Sequence, residues 1–382
     1  MLRRIRELFS DVARQADLVL LALCGIASLF GIVMIYSATH YMNTSRLVLV
    51  QAASLAIGVA LYLLVSQVDL NELAKYWKWI FLVGLGFILL LATPLGIEGG
   101  TGNKAWLDFP FLPVNVQPAE IVKVTFIIVL AKQLAWLKEN RDLKSLRSMA
   151  MLVLHFGVLF AAYYKISADM GSALVFLFIF ASMCFVAGVA LRWFLIGGGA
   201  AALLFYAMWD LNLMNNYMKN RFIVLFDHSY DPLNTGWQQT RSLLALGGGK
   251  IFGQGYLQGV QSQSEAYNLP NRHTDFIFSV IGEELGLVGC VLTLALLTAI
   301  VLRCVYVARR AKTRLEGYVC IGVAGVIIFQ VIVNVGMCLF VMPVIGLTLP
   351  FISYGGSSLV MTFVLMGLVS GVHGRAEPDW LR

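Results

Sequence analysis

The chain has 382 residues, 59% of hydrophobic type and only 13% charged, against roughly 25% charged in a soluble domain. A chain this long and this apolar cannot hide its side chains in one aqueous core, so lipid is the solvent for much of it and a soluble globular protein is excluded. The formal charge of +7 would suggest nucleic acid in a soluble protein, but here the basic residues sit in short loops between apolar runs. There they mark orientation in a membrane, and no nucleic-acid partner is expected.

The chain opens with MLRRIRELFSDVAR, an amphipathic, arginine-bearing stretch that leads into a full-length apolar segment and does not read as a cleavable signal. A helix needs about 20 apolar residues to cross the hydrocarbon. The predicted spans are Leu18 to Ser37, Leu47 to Val65, Trp79 to Leu95, Ile121 to Leu137, Met149 to Tyr164, Ser172 to Leu191, Phe194 to Trp209, Leu285 to Val307, Gly317 to Val341 and Leu359 to Val372. The fourth carries Glu120 and Lys123 near its start and Lys132 near its end. With the N-terminus inside, 19 of the 28 Lys and Arg residues fall on cytoplasmic segments and 8 on outer ones, with Lys123 in a span. Dropping the fourth span would move its basic loop outside and break that bias. The expectation is an all-α integral membrane protein of about ten transmembrane helices, both termini inside. Residues 1–382 are read as a single polytopic membrane domain, with a large extracytoplasmic loop, 210–274, between helices 7 and 8.

Two outer segments differ from ordinary connectors. GIEGGTGNKAWLDFPFLPVNVQP is rich in Gly and Pro. The 210–274 loop contains apolar stretches, RFIVLF and RSLLALGG, that suggest short interfacial helices, and a glycine-rich turn, GGGKIFGQG. Loops held over a rigid scaffold are where binding and chemistry tend to sit. Six cysteines lie in or beside apolar runs without a CxxC partner, so neither a disulfide framework nor a metal site is expected. No internal repeat is visible, which weighs against common transporter plans.

A charge in the bilayer is costly and needs a reason. Glu120 and Lys123 are three apart and share a helix face, either as a structural ion pair or as part of a site. Asp169 in SADMGSAL and Asp275 in NRHTDFIF can each be a helix N-cap or a functional acid. Glu283–Glu284 reads as a solvated pair at a helix end, and His273 as a surface histidine. The run LPFISYGGSS is too rich in Pro, Gly and Ser for a plain span. It is either a turn at the outer interface or the lining of a polar chamber.

Together the motifs NKAWLDF with VQPAEIVKV, SADMGSAL, NRFIVLFDHSYDPLNTGWQQTRSLLALGGGKIFGQG, LPNRHTDFIFSVIGEELGLVG and QVIVNVGMCLFVMPVIGLTLPFISYGGSS, in this order, resemble the SEDS family (shape, elongation, division and sporulation; RodA, FtsW and SpoVE) over nearly the whole chain. The GVQSQSEAYNLPNRHTDF stretch and the short tails look more like RodA. Ser167-Ala168 stands where the family often has Gln-Pro, and Arg241 is a second departure.

The resemblance implies a peptidoglycan glycosyltransferase in the bacterial plasma membrane, multi-pass, with its active site facing outside. Such enzymes polymerise lipid II into β-1,4 glycan strands, often beside a class B penicillin-binding protein; undecaprenyl-linked glycan and membrane lipid are the other partners. The family's key acid matches Asp275. The reaction displaces an α-linked lipid pyrophosphate by a sugar hydroxyl with inversion, which needs a general base and positive charge around the pyrophosphate. Asp275 is the expected base. Lys123, Arg221 and Arg272 are the expected cations, Glu120 and Asp169 shape the cavity, and Gln238 and Ser357 hydrogen-bond sugar or hold the loop. No motif demands a cofactor, although a divalent cation, Mg or Mn, suits carboxylates facing phosphate oxygens. The rival readings are a lipid II flippase, a scaffold that activates the penicillin-binding protein, and a division-type, FtsW-like paralogue.

Overall fold

The computed structural model describes residues 16–42, 44–98, 103–110, 115–211, 216–227, 230, 236–264 and 269–376. Its helices are α1 (Leu18–Thr39), α2 (Arg46–Ser66), α3 (Leu70–Leu90, with a short 3-10 turn inside), α4 (Pro118–Asn140), α5 (Leu146–Ser167), α6 (Met170–Ala187), α7 (Leu191–Asp210), α8 (Asn216–Phe226), α9 (Trp237–Gly249), α10 (Val260–Gln263), α11 (Ile277–Arg310), α12 (Arg314–Cys338) and α13 (Gly356–Ala376). Among the described residues nine of these are long and apolar enough to cross a membrane. The chain is a multi-pass helical membrane protein. The tenth predicted span is α4, which is 23 residues long, about 35 Å at a helical rise, but carries too many charges for an apolar window.

Each predicted span overlaps one of these helices, and the ends differ where polar caps set them. Asp17 caps α1 through the Leu20 N–H, Ser145 caps α5 through the Ser148 N–H, and Thr313 and Glu316 form a capping box on α12. Such residues lie outside any apolar run, so hydropathy stops short of them. Of the nine apolar spans α12 and α13 are the most buried, whereas no residue of α7 is buried. The apolar stretches of the long loop between α7 and α11 do form helices, α8 and α9. Between α3 and α4 a small antiparallel pair, β1 (Gly96–Ile97) and β2 (Trp106–Leu107), matches Ile97 with Trp106.

The long loop is fastened to the bundle by a break in α11. At Gly286 the backbone turns to φ +68, a region that favours glycine. An unbroken helix would bond the Leu287 and Val288 N–H groups to the Glu283 and Glu284 carbonyls. Instead those carbonyls accept from Gln254 N (2.9 Å) and Gly255 N (3.0 Å), while the two N–H groups donate to Lys250 O (2.9 Å) and Ile251 O (3.2 Å). The glycine-rich turn after α9 thus partners these four backbone groups at the kink, as buried backbone requires.

The adjacent acids depart from expectation. Glu283 and Glu284 are fully buried and not solvated. Glu283 accepts from the Gln261 and Ser262 N–H groups at 2.6 and 2.8 Å, and Glu284 from Ser37 Oγ, Ser262 Oγ and Gln263 Nε2 at 2.7–3.0 Å. They tie α10 to α11 and to the C-terminal end of α1.

Candidate active site

A cavity of about 860 Å³ opens where the N-terminal ends of α2, α4 and α6 meet the long loop and the irregular segment between α12 and α13. Both LPFISYGGSS and the residues before it line it, from Val344 to Thr348 and from Tyr354 to Ser358. Its acids are Glu120, Asp169 and Asp275, its bases Arg46, Lys123 and Arg221. Gln238 and Ser357 also face it.

Helix α4 starts at Pro118, whose missing N–H and fixed φ suit a first helical position. That start places Glu120 in the first turn and Lys123 one turn later, with Lys123 Nζ 2.6 Å from Glu120 Oε2 and both side chains buried. Ser357 Oγ accepts from the Gln117 N–H at 3.3 Å, joining this end of α4 to the broken segment. Asp169 is both N-cap and cavity acid. It accepts from the Ser172 N–H at 3.3 Å and from the Tyr163 hydroxyl at 2.9 Å. A Cβ on Gly171 would collide with the Ile345 carbonyl, so glycine there allows the α6 start to meet the irregular segment.

Asp275 sits in the turn before α11. Three successive carbonyls are held from below: His273 O by the Tyr354 N–H (2.8 Å), Thr274 O by Ser353 Oγ (2.6 Å) and Asp275 O by Asn334 Nδ2 (2.8 Å). Among the described residues nothing donates to the Asp275 carboxylate, which faces the cavity. Burial pushes its carboxyl up to about 6, with the Arg221 guanidinium pulling the other way. In the same turn, burial and the neighbouring Arg272 charge hold His273 below the usual histidine range.

Arg221, on α8, donates to the Val344 carbonyl and lines the cavity. Gln238 lines it too, while the next residue, Gln239, turns inward to donate to Met337 O and Met342 O at 3.2 and 2.8 Å. Arg272 does not line the cavity. It is buried, donates to the carbonyls of Gln261, Ser262 and Ser264, and lies 3.5 Å from the Tyr41 ring centroid. Its position is that of a loop anchor.

The cavity also holds residues that sequence reasoning passed over. Arg46 stands exposed at the rim at the start of α2, and Trp106 of β2, Asn115, Asn271 and Thr274 add to the lining. A signal for Arg46 existed, because an arginine on a segment that the sequence's charge count assigns to the outside runs against that same bias. Among the described residues no group of three or more His, Cys, Asp or Glu side chains is placed to hold a metal ion. The three cavity acids come from three separate elements.

A family model described as cell cycle protein, FtsW/RodA/SpoVE, matches residues 17–377. The chain belongs to that family. A relative from Geobacter metallireducens named probable peptidoglycan glycosyltransferase FtsW is 34% identical over 368 residues, covering 94% of this chain and 95% of its own. The Escherichia coli K12 peptidoglycan glycosyltransferase MrdB is 32% identical over 326 residues, covering 84% and 83%. Among solved structures, the chain resembles one from a peptidoglycan synthase complex studied for the coordination of polymerization and crosslinking, with a TM-score of 0.80, 31% identity and coverage of 95% of this chain and 99% of the other. The rod shape determining protein RodA of Thermus thermophilus gives a TM-score of 0.69 at 30% identity, with coverage of 95% and 98%. Both FtsW-named and RodA-like members stand among these relatives, so the comparisons do not separate the two branches.

Proposed function

We propose that this chain is an inverting peptidoglycan glycosyltransferase that polymerises lipid II into β-1,4 glycan strands at the outer face of the plasma membrane. The observation that carries the reading is Asp275: a carboxylate at the cavity surface, on a backbone held at three consecutive carbonyls, with its carboxyl raised to about 6. A general base works best when its pKa lies near the operating pH and its position is fixed. In the proposed step Asp275 takes the proton from the acceptor sugar hydroxyl as that oxygen attacks the anomeric carbon of the lipid-linked sugar. The bond to the pyrophosphate oxygen breaks from the opposite face, and the lipid pyrophosphate leaves with the bonding pair.

Lys123 and Arg221, joined by Arg46 at the rim, supply positive charge for the leaving group. Glu120 neutralises Lys123 in the absence of substrate, and Asp169 sets the start of α6. The active site faces outward, because the Lys and Arg bias assigns the other end of the bundle to the cytoplasm. The partner is a class B penicillin-binding protein, supported by the resemblance to a synthase-complex chain. The setting is elongation and cell shape, supported by the GVQSQSEAYNLPNRHTDF stretch.

The test is polymerisation of labelled lipid II by the purified chain, with and without its partner, beside Asp275→Asn. Glycan ladders that vanish in a folded, partner-binding mutant support the reading. Ladders that persist remove Asp275 as base, and their absence from every preparation shifts the reading to lipid transport or scaffolding.

A further inference from the structure

A second cleft, of about 330 Å³, lies at the opposite end of the bundle, where α11 ends and α12 begins beside the last turn of α6. Its rim carries Arg309, Lys312 and Arg314, all exposed. Among the described residues none of the three makes a salt bridge or a side-chain hydrogen bond. Their neighbours are different. Arg303 is paired with Asp17 at 2.8 Å, Arg375 with Glu316 at 3.8 Å, and Lys138 donates to Ala187 O at 2.7 Å. Three cations without a salt bridge or a side-chain hydrogen bond thus stand together over one cleft.

The walls below the rim are apolar. Val186, Ala308 and Ile321 line the cleft together with Tyr318. Charge at the membrane boundary above a greasy floor matches one chemistry, a phosphate headgroup joined to acyl chains. Basic pockets between transmembrane helices on the cytoplasmic side bind such headgroups. A free phosphate would answer the cations but leave the apolar walls unused.

We propose that this cleft binds the headgroup of an anionic phospholipid, with Arg309, Lys312 and Arg314 around the phosphate and an acyl chain along Val186 and Ile321. The ligand belongs to the leaflet that the charge bias assigns to the cytoplasm. It holds the α11–α12 turn from the side opposite the cavity, and the inference does not depend on the proposed chemistry.

The test is a titration of the purified full-length chain in detergent with dioleoyl phosphatidylglycerol, read by native mass spectrometry, with dioleoyl phosphatidylcholine and inorganic phosphate as comparisons. Phosphatidylglycerol should be retained in preference to phosphatidylcholine. Arg309→Gln/Lys312→Gln/Arg314→Gln should weaken it about 100-fold, on the order of fivefold per cation. Removing the same number of charges elsewhere at this end, by Arg141→Gln/Lys144→Gln/Arg147→Gln, should leave it unchanged. Ala311→Trp, which fills the cleft without touching a charge, should also lose the lipid. Equal losses from the two triple variants would mean diffuse surface attraction and overturn the proposal. So would retention by Ala311→Trp, equal binding of phosphatidylcholine, or displacement of the lipid by millimolar inorganic phosphate.

Discussion

The side-chain amide of Asn334 donates to the backbone carbonyl of Asp275 at 2.8 Å and to that of Leu347 at 2.7 Å. One buried residue of α12 therefore fixes the turn that carries the proposed base and the irregular segment across the cavity from it. Asn334→Ala leaves both carbonyls without that donor, at about 1–3 kcal/mol for each buried group. Activity should fall by about 100-fold, the effect of displacing a catalytic group by roughly 1 Å. The loss should appear in kcat with KM little changed, and thermal unfolding in detergent should show the lost stability. A variant with wild-type kcat would separate the carbonyl clamp from catalysis.

The pH profile follows from the Asp275 carboxyl. A general base must be ionised, so kcat/KM should rise with unit slope up to about pH 6 and then level off. His273, in the same turn, is held below its ordinary value, so it adds no limb above neutrality. A rising inflection near pH 8 would point to a different base.

Stability should run against activity at the same residue. The Asp275 carboxyl is raised from 3.8 to about 6, so the fold favours its protonated form. That contribution is fully present below pH 3.8 and is lost as pH rises through about 6. At neutral pH the ionised group destabilises the protein by up to about 3 kcal/mol. Asp275→Asn should therefore be inactive yet more resistant to unfolding at pH 7, with the difference shrinking toward pH 4. A neutral-pH loss of stability in this variant would contradict the burial account.

Much of this architecture is legible in the sequence, because a bilayer demands one property of each span and that property is local. The α4 helix shows where this ends: Glu120, Lys123, Lys132 and Lys138 hide it from an apolar window, and only the balance of basic loops recovers it. The cavity side of Glu120, Lys123 and Asp169 also follows local rules, since proline and cap positions set the phase of α4 and α6. Contacts between distant segments have no local signature. Glu284 reads as a solvated acid until folding brings Ser37 to it across 247 positions. Arg272 and Arg46 look alike in the sequence, but Arg272, next to the turn at Asn271 (φ +50), is buried while Arg46 stands at the cavity rim.

This difference between the arginines is testable. Arg221→Gln should raise KM for lipid II, because it removes a cation from the cavity. Arg272→Gln should expose the 250–276 loop to limited proteolysis, because it removes the donor to three loop carbonyls and the stack on Tyr41. Any activity it loses should fall together with loop order. A selective rise in KM for Arg272→Gln with an intact loop would return that residue to the substrate.

The Glu120–Lys123 pair separates structure from binding by a double-mutant cycle. Either partner alone is a buried charge, so Glu120→Gln and Lys123→Met should each cost about 3–5 kcal/mol. The double variant has no charge left to strand and should recover most of that stability. If the pair were only structural, polymerisation would recover with it. If Lys123 releases Glu120 to meet the pyrophosphate, the double variant should be well folded and still show a raised KM for lipid II, with the defect larger than that of Glu120→Gln compared at equal folded fraction. Measuring unfolding and kinetics on all four proteins distinguishes the two outcomes.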